Sequence, residues 1–98
     1  MNDNSFKTYL STAELLKALG HPVRLCIVRG LLQKDQCNVT YMQECLGLPQ
    51  STVSQHLQKL RTAGIVQAER NGLEINYTIA DERVKQVVAL LLPEEEGF

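Results

Sequence analysis

The sequence has no tryptophan, only two histidines and only three cysteines in 98 residues. Three is an odd number of thiols and no Cys-x-x-Cys spacing occurs, so no disulfide framework is expected. His21 and His56 have no Ser, Cys or Asp partner at a catalytic spacing, and no glycine-rich phosphate loop is present. Neither an enzyme nor a cofactor is therefore expected. No run of about 20 apolar residues is available to cross a bilayer. The polar opening Met1-Asn2-Asp3-Asn4-Ser5 has no signal-peptide core. The expectation is a cytoplasmic protein with no membrane partner. Charge of either sign is also scarce in excess: the net charge is −1, which withholds the overall basicity of many nucleic-acid binders.

What is present reads as one globular domain. Apolar residues make up 44% of the chain and charged residues 21%. The expected organisation is a single domain over 1–98, with an N-terminal arm at 1–10 and an acidic tail at 93–98. A chain this short buries only a modest core, so surplus apolar surface points to a partner. Charge is unevenly placed. Residues 49–71 carry Lys59, Arg61 and Arg70 against Glu69 alone, whereas the end of the chain is acidic, closing on Glu94-Glu95-Glu96. A local basic face is compatible with a neutral total.

The pattern along the chain is helical, then strand-like, then helical. Ser11 and Glu14 have the spacing of a capping box before Leu15, Leu16 and Leu19, and Gly20 ends that helix. Pro22 suits a first helical turn, and Leu25, Val28, Leu31 and Leu32 follow at helical spacing. Asp35 to Asn38 is a polar break. A third helix is expected over Val39–Leu46, with Val39, Met42 and Leu46 inward, closed by Gly47. A fourth is expected from about Gln50 to Ala63, stopped by Gly64. Two helices joined by a short turn containing Gly form a helix-turn-helix. The period then changes to two: Ile65 to Glu69 forms one strand, and Leu73, Ile75, Tyr77 and Ile79 mark the buried side of another. Asn71-Gly72 between them is expected at the centre of a tight turn. Asp81 caps a last helix that Pro93 terminates. The fold class is thus mainly α with a small β-hairpin, a winged helix-turn-helix in the order helix, helix, helix, helix, hairpin, helix.

The fourth helix carries the expected chemistry. Val53, Leu57 and Leu60 form its inward stripe. Gln50, Ser51 and Thr52 open it, and Ser54, Gln55, Gln58 and Lys59 continue its polar side. A solvated helix face usually carries Glu, yet none occurs from Leu48 to Val66. Short hydroxyls permit close approach to a groove, Gln pairs bidentately with adenine, and a helix N-terminus favours phosphate. These residues are the expected contacts to double-stranded DNA, the expected partner. Arg70 and Asn71 at the hairpin tip are expected to reach a flanking phosphate or the minor groove. His56 borders the inward stripe and is expected to be a half-buried packing residue. Cys26 and Cys45 are expected to pack as small apolar side chains. Cys37, in the polar break, is the expected exposed thiol and the candidate redox residue.

Four stretches then carry a resemblance: Leu16 to Leu25 around Gly20-His21-Pro22; Leu48 to Arg61 around Ser51-Thr52-Val53-Ser54-Gln55-His56-Leu57; Gly64-Ile65-Val66; and Arg70 to Tyr77. Together they resemble the ArsR/SmtB family of bacterial repressors over about residues 13–92, in its branch that regulates virulence genes rather than metal efflux. The resemblance implies a homodimer formed by the first and last helices on an inverted-repeat operator. Leu10, Leu15, Leu19, Val84, Val87, Val88 and Leu91 are its expected interface. Leu90 and Leu92 widen that apolar face, and Phe6 and Tyr9 precede it. The family's metal positions are not filled: Cys37 has no second soft ligand nearby, and Arg83 stands where a histidine belongs. Its thiol-sensor pair is not filled either, since Arg29 takes the second-helix position and the last helix has no Cys. No metal is expected. The rival reading is a winged-helix protein-interaction module that does not bind DNA.

Overall fold

A computed structural model describes residues 1–93. Apart from Pro93, the expected acidic tail lies outside the described residues. Five helices and three strands follow in chain order: α1 (Asp3–Leu19), α2 (Pro22–Lys34), β1 (Cys37–Asn38), α3 (Val39–Leu46), α4 (Gln50–Thr62), β2 (Val66–Asn71), β3 (Glu74–Ile79) and α5 (Glu82–Leu91).

Helix α1 begins earlier than its internal capping box suggests. Asn2 accepts a hydrogen bond from the Ser5 amide at 2.8 Å and supplies the cap instead. Ser11 and Thr12 both turn their hydroxyls back to the Thr8 carbonyl, at 3.1 and 2.8 Å, so the helix runs through them. The expected arm is therefore mostly helix. Helix α2 starts at Pro22 with His21 as its cap. Helix α3 is capped by Asn38 and closed by Gly47 in the left-handed region at φ +67°. That conformation costs a glycine nothing and lets the chain turn at once into α4. Asp81 caps α5 by accepting from the Arg83 amide at 2.8 Å.

The wing is part of a three-stranded antiparallel sheet in the order β1-β3-β2. Strand β1 has no counterpart among the elements expected from the sequence. It pairs Cys37 with Tyr77 and Asn38 with Asn76. The β2–β3 register runs from Val66↔Ile79 to Asn71↔Glu74. The tip turn is thus Gly72-Leu73, one residue later than expected, and Asn71 belongs to the strand. Gly72 has φ +71° and takes the first central position, the one that needs glycine in this turn class. Leu73, expected on the buried side, is fully exposed at the tip.

The core gathers beneath α4. Ile27, Val28 and Leu31 of α2, Met42 of α3, Val53, Leu57 and Leu60 of α4, and Ile65 and Val66 are all buried. Val84 and Val88 of α5, Leu19 of α1, Cys37 of β1 and Ile79 of β3 complete it. Val39 and Leu46 only pack partly against this cluster. A residue of this size fully buried contributes about 1.5–3 kcal/mol, so α4 is held firmly along one side.

A polar contact adds to that hold at the start of α2. Arg24 Nη1 lies 3.2 Å from His56 Nδ1, and Arg24 Nε donates to the Ala18 carbonyl at 2.6 Å. His21 Nδ1 accepts from the Val23 amide at 3.1 Å, and the rings of His21 and His56 sit 4.5 Å apart at 45°. Arginine has only donors, so His56 Nδ1 must be the bare nitrogen and the ring proton sits on Nε2. His56 is half-buried, as expected.

Burial first, and then charge interactions with His21, Arg24 and Lys59, lower the pKa of His56. The native state therefore binds its proton less readily than the unfolded chain does. The stability that this histidine contributes is full above about pH 6.5, its ordinary value, and falls as the pH drops through it. Urea denaturation at about pH 7.5 and about pH 5.5 checks this: the wild type is expected to lose more stability across the interval than His56→Gln, which has no proton to gain at this position.

Candidate nucleic-acid interface

Helix α4 presents two contrasting sides because its sequence alternates at helical spacing. Val53, Leu57 and Leu60 face the core, while Gln50, Ser51, Ser54, Gln55, Gln58 and Lys59 are exposed. Thr52 is half-buried and only partly shares the exposed side. Gln58 Nε2 donates to the Thr62 hydroxyl at 3.3 Å, which holds it along the helix. The first turn has no acidic residue and the last turn carries Lys59 and Arg61. Pro49 occupies the cap position and offers no side-chain acceptor. The opening of α4 thus carries no carboxylate of its own, where the helix dipole favours an anion.

The wing stands beside that helix. Arg70 and Asn71 are exposed near its tip. Gln50 at the start of α4 and Asn71 on the wing line one open cleft with Asn38, Thr40, Leu73 and Glu74. Val39 and Ile75 complete its lining, and of the eight residues only Gln50 and Asn71 are among the contacts expected from the sequence. Asn38 had a legible signal, since Asn before a helical run is a strong cap. The pairing that places it against the wing had none. Arg70 is not among the residues of that cleft.

Of the residues expected at a dimer interface, Leu19, Val84 and Val88 lie in the protomer's own core and have no surface left to offer. Leu15 is half-buried against the same core. Leu10, Val87 and Leu91 are exposed, and so are Phe6, Tyr9, Leu16 and Leu90. The apolar surface of α1 and α5 is therefore real, but it lies one helical face away from part of the expected set.

The thiols are rearranged too. Cys37 is buried because β1 ties it to Tyr77, so it is not an exposed thiol. Burial raises its pKa, a shift that nearby Lys34 opposes, and burial also raises that of Cys26. Neither is favoured as a thiolate nucleophile. Cys45, expected to pack, is exposed. Among the described residues, no three His, Cys, Asp or Glu side chains gather in a way that could hold a metal ion. None of the described helices is long and apolar enough to cross a membrane.

Comparison with known proteins agrees with this geometry. Residues 19–67, from the end of α1 into β2, match a family model described as a helix-turn-helix domain. The transcriptional repressor PagR of Bacillus anthracis is 48% identical over 81 residues, which is 83% of this chain and 81% of PagR. Its crystal structure superposes with a TM-score of 0.81 over 88% of this chain and 98% of that one. The transcriptional repressor SmtB of Mycobacterium tuberculosis is 42% identical over 80% of this chain and 57% of its own length. A homodimeric winged helix-turn-helix DNA-binding domain from Mycobacterium bovis, described as a possible ArsR-family regulator, gives a TM-score of 0.83 at 31% identity, over 95% of this chain and 85% of that one. Sequence identity over most of the chain and a shared fold lead to one conclusion: the chain belongs to the ArsR/SmtB family of winged helix-turn-helix transcriptional regulators.

Proposed function

We propose that this protein is a repressor that binds an inverted-repeat operator as a homodimer. The observation that carries the reading is the outward side of α4, which is exposed, polar and without a carboxylate while its opposite side is buried in the core. Such a helix fits a major groove, with Gln55 one turn in, where side chains meet base edges. Ser51 and Ser54 are short enough to let the backbone approach. Gln50, Thr52, Gln58 and Lys59 take positions along the groove wall. Arg70 and Asn71 extend the footprint to the flanking backbone or minor groove. PagR and SmtB are both named transcriptional repressors, which supports the same reading.

The dimer follows from α1 and α5. The first half of α1 exposes Phe6, Tyr9 and Leu10, and α5 exposes Val87, Leu90 and Leu91, the last two at 80% and 67%. Exposed apolar residues gathered on two helices mark a surface that a symmetric partner would cover. The Mycobacterium bovis neighbour is described as homodimeric. Two α4 helices on a twofold axis then enter successive major grooves about 34–36 Å apart. A single mechanism thus requires both the paired helices and an operator of inverted halves. The cytoplasm, where the chromosome lies, is the fitting compartment, and no enzymatic step is required.

Sedimentation at micromolar concentration is expected to give twice the 11.0 kDa chain mass. Leu91→Glu is expected to give monomers that bind operator poorly. A wild-type monomer that binds operator tightly would overturn the dimer.

Gln55→Ala is expected to cost roughly 1–3 kcal/mol on the operator and to relax preference at one base pair per half-site. Arg70→Ala is expected to weaken operator and random duplexes alike and to reduce the salt slope by about one for each phosphate left without its arginine. Gel shifts of both variants on both duplexes at several salt concentrations separate the two effects. An unchanged operator-to-random ratio for Gln55→Ala would remove Gln55 from base readout. Absence of any shift with wild-type protein on genomic fragments would favour the interaction-module reading.

A further inference from the structure

Asn38 joins two elements that the proposed DNA contacts depend on. Its Oδ1 accepts from the Tyr41 amide at 2.7 Å and caps α3, the first helix of the helix-turn-helix. Its Nδ2 donates to Oε1 of Glu74, at the start of β3. The amide N–H can only donate and the carboxylate can only accept, so the two partners together leave the Asn38 side chain one orientation.

The place of Glu74 gives this contact its interest. Strand β1 supports β3 only at Asn76 and Tyr77. Beyond those rungs the wing continues as two strands to Asn71↔Glu74, immediately below the tip. A two-stranded hairpin is marginally stable by itself, and this outer part carries Arg70 and Asn71. The Asn38–Glu74 bond therefore fastens the outer wing to the entrance of the helix-turn-helix. It also holds the Glu74 carboxylate beside the N-terminus of α3, where the helix dipole favours it. Asn38 and Glu74 lie within the cleft that Gln50 and Asn71 also line.

We propose that Asn38 is a positioning residue: through Glu74 it sets the angle between the wing and the recognition helix α4, and so the spacing between minor-groove and major-groove contacts. The inference rests on the operator-binding reading above.

Four variants test it, one of them Glu74→Gln alone, which completes the double-mutant cycle. Asn38→Ser keeps the cap and the charge, because Ser caps as well as Asn, but it is too short to reach Glu74. Asn38→Asp keeps the cap, cannot donate, and sets two carboxylates together. Asn38→Asp with Glu74→Gln restores the bond with its polarity reversed, since Gln can donate to the new carboxylate, and it matches the wild type in net charge. The probe is the strongest duplex recovered from genomic DNA by the wild-type protein, with hydroxyl-radical footprinting for the flanks and guanine N7 methylation for the major groove. Asn38→Ser is expected to bind about three- to tenfold more weakly, the worth of one hydrogen bond. Its flank protection is expected to fade while major-groove protection persists. Asn38→Asp is expected to be weaker still, and the double variant to recover to within about twofold of wild type, beyond the sum of the two single changes.

Wild-type affinity and flank protection in Asn38→Ser would overturn the proposal. So would single changes that simply add in the double variant, the signature of charge alone. If Asn38→Ser does not fold, the double variant against Asn38→Asp decides. Failure of the operator-binding reading looks different, since the wild type itself would then leave no footprint.

Discussion

The surface proposed to meet DNA depends on α4 being held by one side only. Val53, Leu57 and Leu60 sink into a core built from α2, α3, α5 and the first residues of β2. Apart from the half-buried Thr52 and His56, the perimeter from Gln50 to Lys59 is then free of packing duties and is filled with Ser, Gln and Lys. Had the apolar stripe been wider, the helix would have been swallowed. Had it been narrower, the helix would have lacked a fixed direction. The Arg24–His56 contact adds a polar stop to the same edge, and its one-way donor chemistry makes it orientation-specific where apolar packing is not.

Surplus apolar surface tells the complementary story. The core is complete without Phe6, Tyr9, Leu10, Leu90 or Leu91, all of which remain exposed. They cluster on the first and last helices, apart from the middle of the sequence that carries the proposed groove contacts. The division matches the charge distribution, in which Lys59, Arg61 and Arg70 fall in the middle.

Much of this was legible from local chemistry. Gly47, Asp81 and Pro93 mark their helix ends by side-chain properties that act within a few residues, and α3, α4 and α5 fall at or within a residue of their expected bounds. The outward side of α4 was legible for the same reason. What failed required knowledge of a distant neighbour. Ser11 and Glu14 have a capping spacing, but Asn2 caps first and the helix simply continues. Cys37 looks like loop until Tyr77, forty residues on, pairs with it and buries it. The tip turn shifted by one residue because the ladder from Val66↔Ile79 fixes which pair closes it. Leu19, Val84 and Val88 show why an apolar helix face does not name its partner: periodicity reveals that a face is buried, not whether the same chain or a second copy buries it.

The antiparallel ladder of the wing also constrains how such a protein can change over time. Each strand residue advances about 3.4 Å and reverses the face its side chain occupies. Adding one residue to each strand would carry the tip outward but turn Arg70 and Asn71 each to the face opposite its present one. Adding two to each would restore their facing with about 7 Å of extra reach. Wing length in this architecture is thus a stepped variable, and related proteins that read wider or narrower flanks are expected to differ from it by even numbers of residues per strand.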